Sequence, residues 1–165
     1  MTFIYQGRRL AVEKKIVRSR DGRTREWVVV RPADAAAILP LHGDTCYLIH
    51  QYRFAIDQYL YEVPAGTMDP GETPEQTAIR ELREETGFTA GKIIPRGFVF
   101  TTPGFTTERI YLFEARDLHT AGSPQLEEDE VIESAPFSRG ELFAMIEDGR
   151  ICDAKTICLI HRCLG

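Results

Sequence analysis

GTMDPGETPEQTAIRELREETGF, residues Gly66 to Phe88, is the stretch from which the rest of the chain is placed. It predicts a helix over 73–86: Thr73 caps, Pro74 suits the first helical position, where no backbone N–H is needed, and Gln76 completes a capping box. Gly87 is the stop signal. At about 100° per residue, Ala78, Ile79, Leu82 and Thr86 cover one arc and are the expected buried stripe. Glu81, Glu84 and Glu85 fill an adjoining arc and share one face.

Three carboxylates crowded in this way are locally unfavourable. Like charges one helical turn apart cost a few tenths of a kcal/mol each, and these lie toward the C-terminal end, where the helix dipole also disfavours anions. A hard divalent cation removes that penalty, because Mg2+ takes oxygen ligands and bridges carboxylates to a substrate phosphate. A solvated acidic face with an Arg80–Glu84 pair is the alternative that spacing alone leaves open.

Outward from the helix, short runs order themselves as a mixed β-sheet with interspersed helices, α+β in character. Residues 3–31 read as an antiparallel hairpin turning at Ser19-Arg20-Asp21-Gly22. AAAILPL and CYLIHQYR are two strands around His42-Gly43-Asp44, and QYLYEV is a short strand leading to Pro64. FVFTT and RIYLFEA pair around Pro103-Gly104, and residues 139–148 and 153–163 are two helices separated by Gly149.

The 165 residues, 43% apolar and 27% charged, are expected to form a soluble globular chain; collagen, disordered and disulfide-miniprotein classes are excluded. No run is apolar enough to span a membrane, and the N-terminus breaks into Arg, Glu and Lys before any signal-peptide core, so a cytoplasmic protein without a membrane partner is expected. The four cysteines form no C-x-x-C pair and are expected to pack as small hydrophobes. The net charge of −5 hides a segregation: residues 61–88 hold seven acids against Arg80 and Arg83, residues 127–133 hold five acids and no base, and residues 1–37 hold nine bases against four acids. Two acidic clusters and a basic arm suit a site that takes cations together with an anionic ligand, and give no support to a nucleic-acid binder.

Gly66, Glu72, Arg80, Glu81, Leu82, Glu84, Glu85, Gly87 and Phe88 stand at the spacing of the Nudix hydrolase signature, which the stretch resembles without departure. The resemblance implies a Nudix-type mixed β-sheet sandwiched between helices, with an N-terminal antiparallel β-segment. It also implies hydrolysis of a nucleoside diphosphate linked to another group. The implied metal ligands are the backbone carbonyl of Ala65 and the carboxylates of Glu81, Glu84 and Glu85, with Glu85 counted among the catalytic groups. They would hold Mg2+, with Mn2+ as a substitute and more than one ion per site. Glu72 and Arg80 would support them through an ion pair tying loop to helix, and Gly66 and Gly87 would serve backbone conformation.

Beyond the signature, Gln51-Tyr52-Arg53, the run Tyr61 to Gly66, Pro103 fifteen residues past Phe88, and residues 149–156 are similar to the pattern of ADP-ribose pyrophosphatases. That subfamily cuts ADP-ribose to AMP and ribose 5-phosphate. The resemblance implies a base in the acidic loop, Glu128 or Glu130, with Asp129 behind them. Arg53 would pair with the diphosphate, the bland alternative being a strand-edge arginine. Arg25, Glu26 and Trp27 fall where a partner subunit contacts adenine and terminal ribose, although a lone strand Trp is more often core. Glu62 and Glu108 would be ribose or supporting contacts. A homodimer is implied, in which residues 1–37 are exchanged and 38–165 form the hydrolase domain. A Nudix hydrolase for another nucleoside diphosphate sugar and a ligand-binding regulator without catalysis are the alternatives.

Overall fold

A computed structural model describes residues 2–125 and 132–165. The N-terminal run folds as β1 (Thr2–Gln6), β2 (Leu10–Arg18) and β3 (Thr24–Pro32), antiparallel in that order. Three strands stand where one hairpin was expected. Gly7 breaks the first apolar run, its N–H donating to the Leu10 carbonyl at 3.0 Å to close a turn. The second turn lies where expected, with Gly22 N–H on the Ser19 carbonyl at 2.9 Å. Along β2 only Glu13 is buried, and Arg31 on the paired β3 meets it at 2.6 Å.

The second sheet holds β4 (Ala35–His42), β5 (Thr45–Arg53), β6 (Gln58–Glu62), β7 (Ala65–Thr67), β8 (Phe88–Phe100), β9 (Arg109–Thr120) and β10 (Ile132–Ser138). Its order is β10-β5-β4-β9-β8, with β6 beside β5 and β7 beside β4. β4 and β9 run parallel and the other pairs antiparallel, which makes the sheet mixed.

Three helices flank this sheet: α1 (Pro74–Thr86), α2 (Arg139–Glu147) and α3 (Ala154–Leu164). The alternation of β4 separates two apolar layers, because successive strand residues point to opposite faces. Ala36 and Ile38 pack with Ala78 and Leu82 of α1. Ala37, Leu39 and Leu41 pack with Leu142 and Met145 of α2 and with Leu159 and Ile160 of α3. The sheet is therefore sandwiched between helices. Cys46 belongs to the second layer, and burial pushes its thiol up to about 12.

The Thr73–Gln76 capping box, Pro74 and the left-handed Gly87 (φ 71°) are all present in α1. The buried face differs from the expected one. Ile79 is 41% exposed, while Thr77, Ala78, Glu81, Leu82, Glu85 and Thr86 are buried. Contact with β4, β7 and β8 rotates the helix so that two glutamates enter the protein and an isoleucine leaves it.

The two sheets are joined where β3 meets the turn between β8 and β9. Val30 N–H donates to the Phe105 carbonyl at 2.8 Å, and Thr107 N–H donates to the Val30 carbonyl at 3.0 Å. No helix among the described residues is long and apolar enough to cross a membrane.

Candidate active site

Strand β7, the loop after it and α1 lie together because the capping box starts the helix abruptly and β7 pairs with β4, against which α1 packs. Arg80 is the hub of this unit. Its Nε donates to Glu72 Oε1 at 2.9 Å and its Nη2 to Glu72 Oε2 and the Thr67 carbonyl, both at 3.1 Å. Its Nη1 donates to Glu81 Oε1 at 2.6 Å and Glu84 Oε2 at 3.0 Å. One guanidinium thus links loop, strand and acidic face, its five donors matched to a fixed fork of acceptors.

Glu72 accepts further bonds from Asp69 N–H at 3.0 Å and Thr77 Oγ1 at 2.8 Å. Hydrogen bonding from Arg80 is the largest cause holding its carboxyl down at about 2. The expected loop-to-helix ion pair is present with this geometry.

Glu85 is 3% exposed and accepts from Ala65 N–H at 3.0 Å. Gly66 is needed for close approach and not, as expected, for an unusual backbone. Its φ is outside the left-handed region, and a Cβ there would sit 1.7 Å from Glu81 Oε1. Gly87 does need its left-handed conformation, and a Cβ there would also meet the Gly122 carbonyl at 2.3 Å.

Among the described residues no three or more His, Cys, Asp or Glu side chains are gathered as a metal site; Arg80 Nη1 lies on Glu81 and Glu84, and Glu85 is turned to the Ala65 amide. The donor chemistry nonetheless fits a hard divalent cation. The Ala65 carbonyl and the three carboxylates are all oxygen donors, and Gly66 keeps open the space beside Glu81 that a side chain would fill.

Of these groups Ala65, Glu81 and Glu84 open on a cleft of about 640 Å³, while Glu85 lies behind its lining. Ala65, Gly66, Asp69, Glu81 and Glu84 form its acidic side, and Arg8, Arg9, Arg53 and Arg80 supply positive charge. Arg53 sits on β5 with Nε on Glu62 Oε1 and Nη2 on Glu62 Oε2, each at 2.7 Å. Glu62 is 1% exposed and also receives Lys155 Nζ, so of the two roles expected of it, ribose contact or support, the geometry gives the second. Burial pushes its carboxyl up, but hydrogen bonding from Arg53 and the charge of Lys155 more than offset this and hold it below the usual carboxylate range.

Arg25, Glu26 and Trp27 do not line this cleft. Arg25 faces Asp21 at 3.6 Å, Glu26 pairs with Lys14 at 2.6 Å, and Trp27 is 50% exposed. Glu108 likewise lies outside it and accepts from Thr101 Oγ1 at 2.6 Å. Pro103 begins the turn in which Phe105 and Thr106 N–H bond the Thr102 carbonyl, beside β3. Glu128 and Glu130 lie outside the described residues.

Sequence reasoning assigned no role to Arg8, Arg9, Gln51 and Lys155. The two arginines were counted in the basic arm, and the turn at Gly7 brings them to the cleft. Gln51 lines the cleft at 7% exposure, and its Oε1 has no hydrogen-bond partner among the described residues.

The family model of the NUDIX domain matches residues 31–160. Over 155 residues the chain is 31% identical to the ADP-ribose pyrophosphatase of Bacillus subtilis (strain 168), covering 93% of this chain and 84% of that protein. Over 160 residues it is 31% identical to the methanol dehydrogenase activator of Bacillus methanolicus, covering 96% and 86%. Among solved structures, the crystal structure of an ADP compounds hydrolase superposes with a TM-score of 0.87 at 24% identity, over 98% of this chain and 88% of that one, a likeness of fold.

Proposed function

The chain belongs to the NUDIX domain family, and we propose that it hydrolyses the diphosphate bond of ADP-ribose to AMP and ribose 5-phosphate with Mg2+. The observation that carries this reading is a single cleft in which the acidic side formed by β7 and α1 faces Arg53. A diphosphate needs both a cation and a bidentate guanidinium, and the cleft has groups for each. The Ala65 carbonyl, Glu81, Glu84 and Glu85 would hold the ion, Mg2+ or Mn2+, and more than one per site. Bound there, it would neutralise the diphosphate and lower the pKa of an attacking water.

The chain's own residues do the rest. Glu72 and Arg80 fix the loop against the helix, so that the carboxylates keep their spacing. Arg53 takes the diphosphate on the guanidinium edge that Glu62 leaves unused. Glu128 or Glu130 accepts the proton from water. Residues 1–37 are exchanged between two copies, so that Arg25, Glu26 and Trp27 reach the partner's cleft. Their distance from the cleft of their own chain supports this, as do the exposed Phe3, Tyr5, Ile16 and Trp27 on the three-stranded sheet.

The test is turnover of ADP-ribose, ADP-glucose, GDP-mannose and NADH with and without Mg2+, products being identified. ADP-ribose is expected to be cleaved only with metal, and Glu85→Gln to lose about 100-fold or more in kcat. Cleavage of another sugar nucleotide with ADP-ribose left intact overturns the substrate. No turnover of any compound overturns the enzyme and favours a ligand-binding regulator.

A further inference from the structure

Lys155 is a lysine almost out of reach of water. It is 8% exposed at the start of α3, and its Nζ meets Glu62 Oε2 and, at 3.1 Å, Asp153 Oδ2. Asp153 is itself held in place, because its side chain caps α3 by accepting from Thr156 N–H at 2.9 Å and from Thr156 Oγ1 at 2.6 Å. Thr156 Oγ1 in turn accepts from Val63 N–H at 2.9 Å, which pins the helix start to the strand end that carries Glu62. Four charges therefore alternate in one row, Arg53, Glu62, Lys155 and Asp153, of which the inner two are buried, and they sum to zero.

A buried charge persists only where it is compensated, and removing one partner leaves the others exposed to the full penalty of burial. Within this row Arg53 alone lines the cleft. Arg53 has five N–H donors, and the Nε and Nη2 bonds to Glu62 fix the plane of the guanidinium. Lys155 keeps Glu62 from being neutralised by Arg53 alone, so part of the arginine's charge stays available to an anion.

We propose that Lys155 is a positioning residue for anionic substrate, acting through Glu62 to hold Arg53 oriented toward the cleft. This rests on the reading of Arg53 as the diphosphate contact. Lys155→Met is expected to raise the KM for ADP-ribose about tenfold with kcat within about twofold, and Lys155→Arg to restore most of the loss. In an Arg53→Ala background Lys155→Met is expected to add no further rise in KM, since the two act as one unit. The same ordering is expected for binding of inorganic pyrophosphate by calorimetry in EDTA, which requires no turnover.

A purely structural lysine would lower the melting temperature of the variant and leave both KM and pyrophosphate affinity unchanged; that result overturns the proposal. An equal KM rise with and without Arg53 overturns it too. Should Lys155→Met fail to fold, Lys155→Gln and Lys155→Arg are measured instead, and equal pyrophosphate affinity across them and the wild type overturns it. If the wild type hydrolyses no ADP-ribose, the proposed activity fails and pyrophosphate binding alone decides the role of Lys155. A wild type that binds no pyrophosphate overturns that role as well.

Discussion

At Gly66 the missing side chain is the functional feature. An alanine there would place a methyl 1.7 Å from Glu81 Oε1, and the atom that must yield is the end of a flexible side chain. Gly66→Ala is therefore expected to fold normally and to displace the carboxylate, lowering kcat about 100-fold, since about 1 Å of misplacement costs that much. Circular dichroism melting beside steady-state kinetics checks this; a large loss of melting temperature with activity retained would count against it. The Arg80–Glu84 pair was legible from helical spacing, and the Glu72–Arg80 pair only through the family resemblance. The pairing of Arg53 with Glu62 was not. Arg53 was marked as a diphosphate contact and Glu62 as a ribose or supporting contact, with no sign that they bind one another, and the lysine that shares Glu62 comes 93 residues later. Spacing rules reach along one element and do not see a side chain arriving from a different helix.

The unit of loop and α1 behaves as one element, and its pH response follows from Glu72. The carboxyl is depressed in the folded state to about 2 from an ordinary 4.5. Its stabilisation is thus fully present above 4.5 and is lost as pH falls through about 2. The difference in melting temperature between wild type and Glu72→Gln is expected to be constant from pH 7 down to about 5 and to shrink steadily below, vanishing near pH 2; a difference that does not depend on pH would sink this account. The ends of α1 were readable since Thr73, Pro74, Gln76 and Gly87 each satisfy or forgo a backbone bond locally. Its rotation was not. Which arc of a helix is buried depends on what it packs against, and Ile79 lost its place to Glu81 and Glu85 because those side chains meet β7.

Across the whole molecule, the α+β order was legible in the residues and the helices on both sides of the sheet through the family resemblance, while the parallel pairing of β4 with β9 was not, since nothing local marks a partner 75 residues away. The N-terminal sheet carries Arg8 and Arg9, which line the cleft, in the turn between β1 and β2. Light scattering is expected to show a dimer; a wild-type monomer with full activity would refute the exchange of residues 1–37. One joint makes this arm more than an appendage. Val30 bonds the backbone on both sides of Thr106, in the turn that begins at Pro103, so the arm and the hydrolase body share a mortise. Pulling the arm away would leave the Phe105 carbonyl and the Thr107 amide without their mates, and any tug transmitted from a second copy arrives first at that corner.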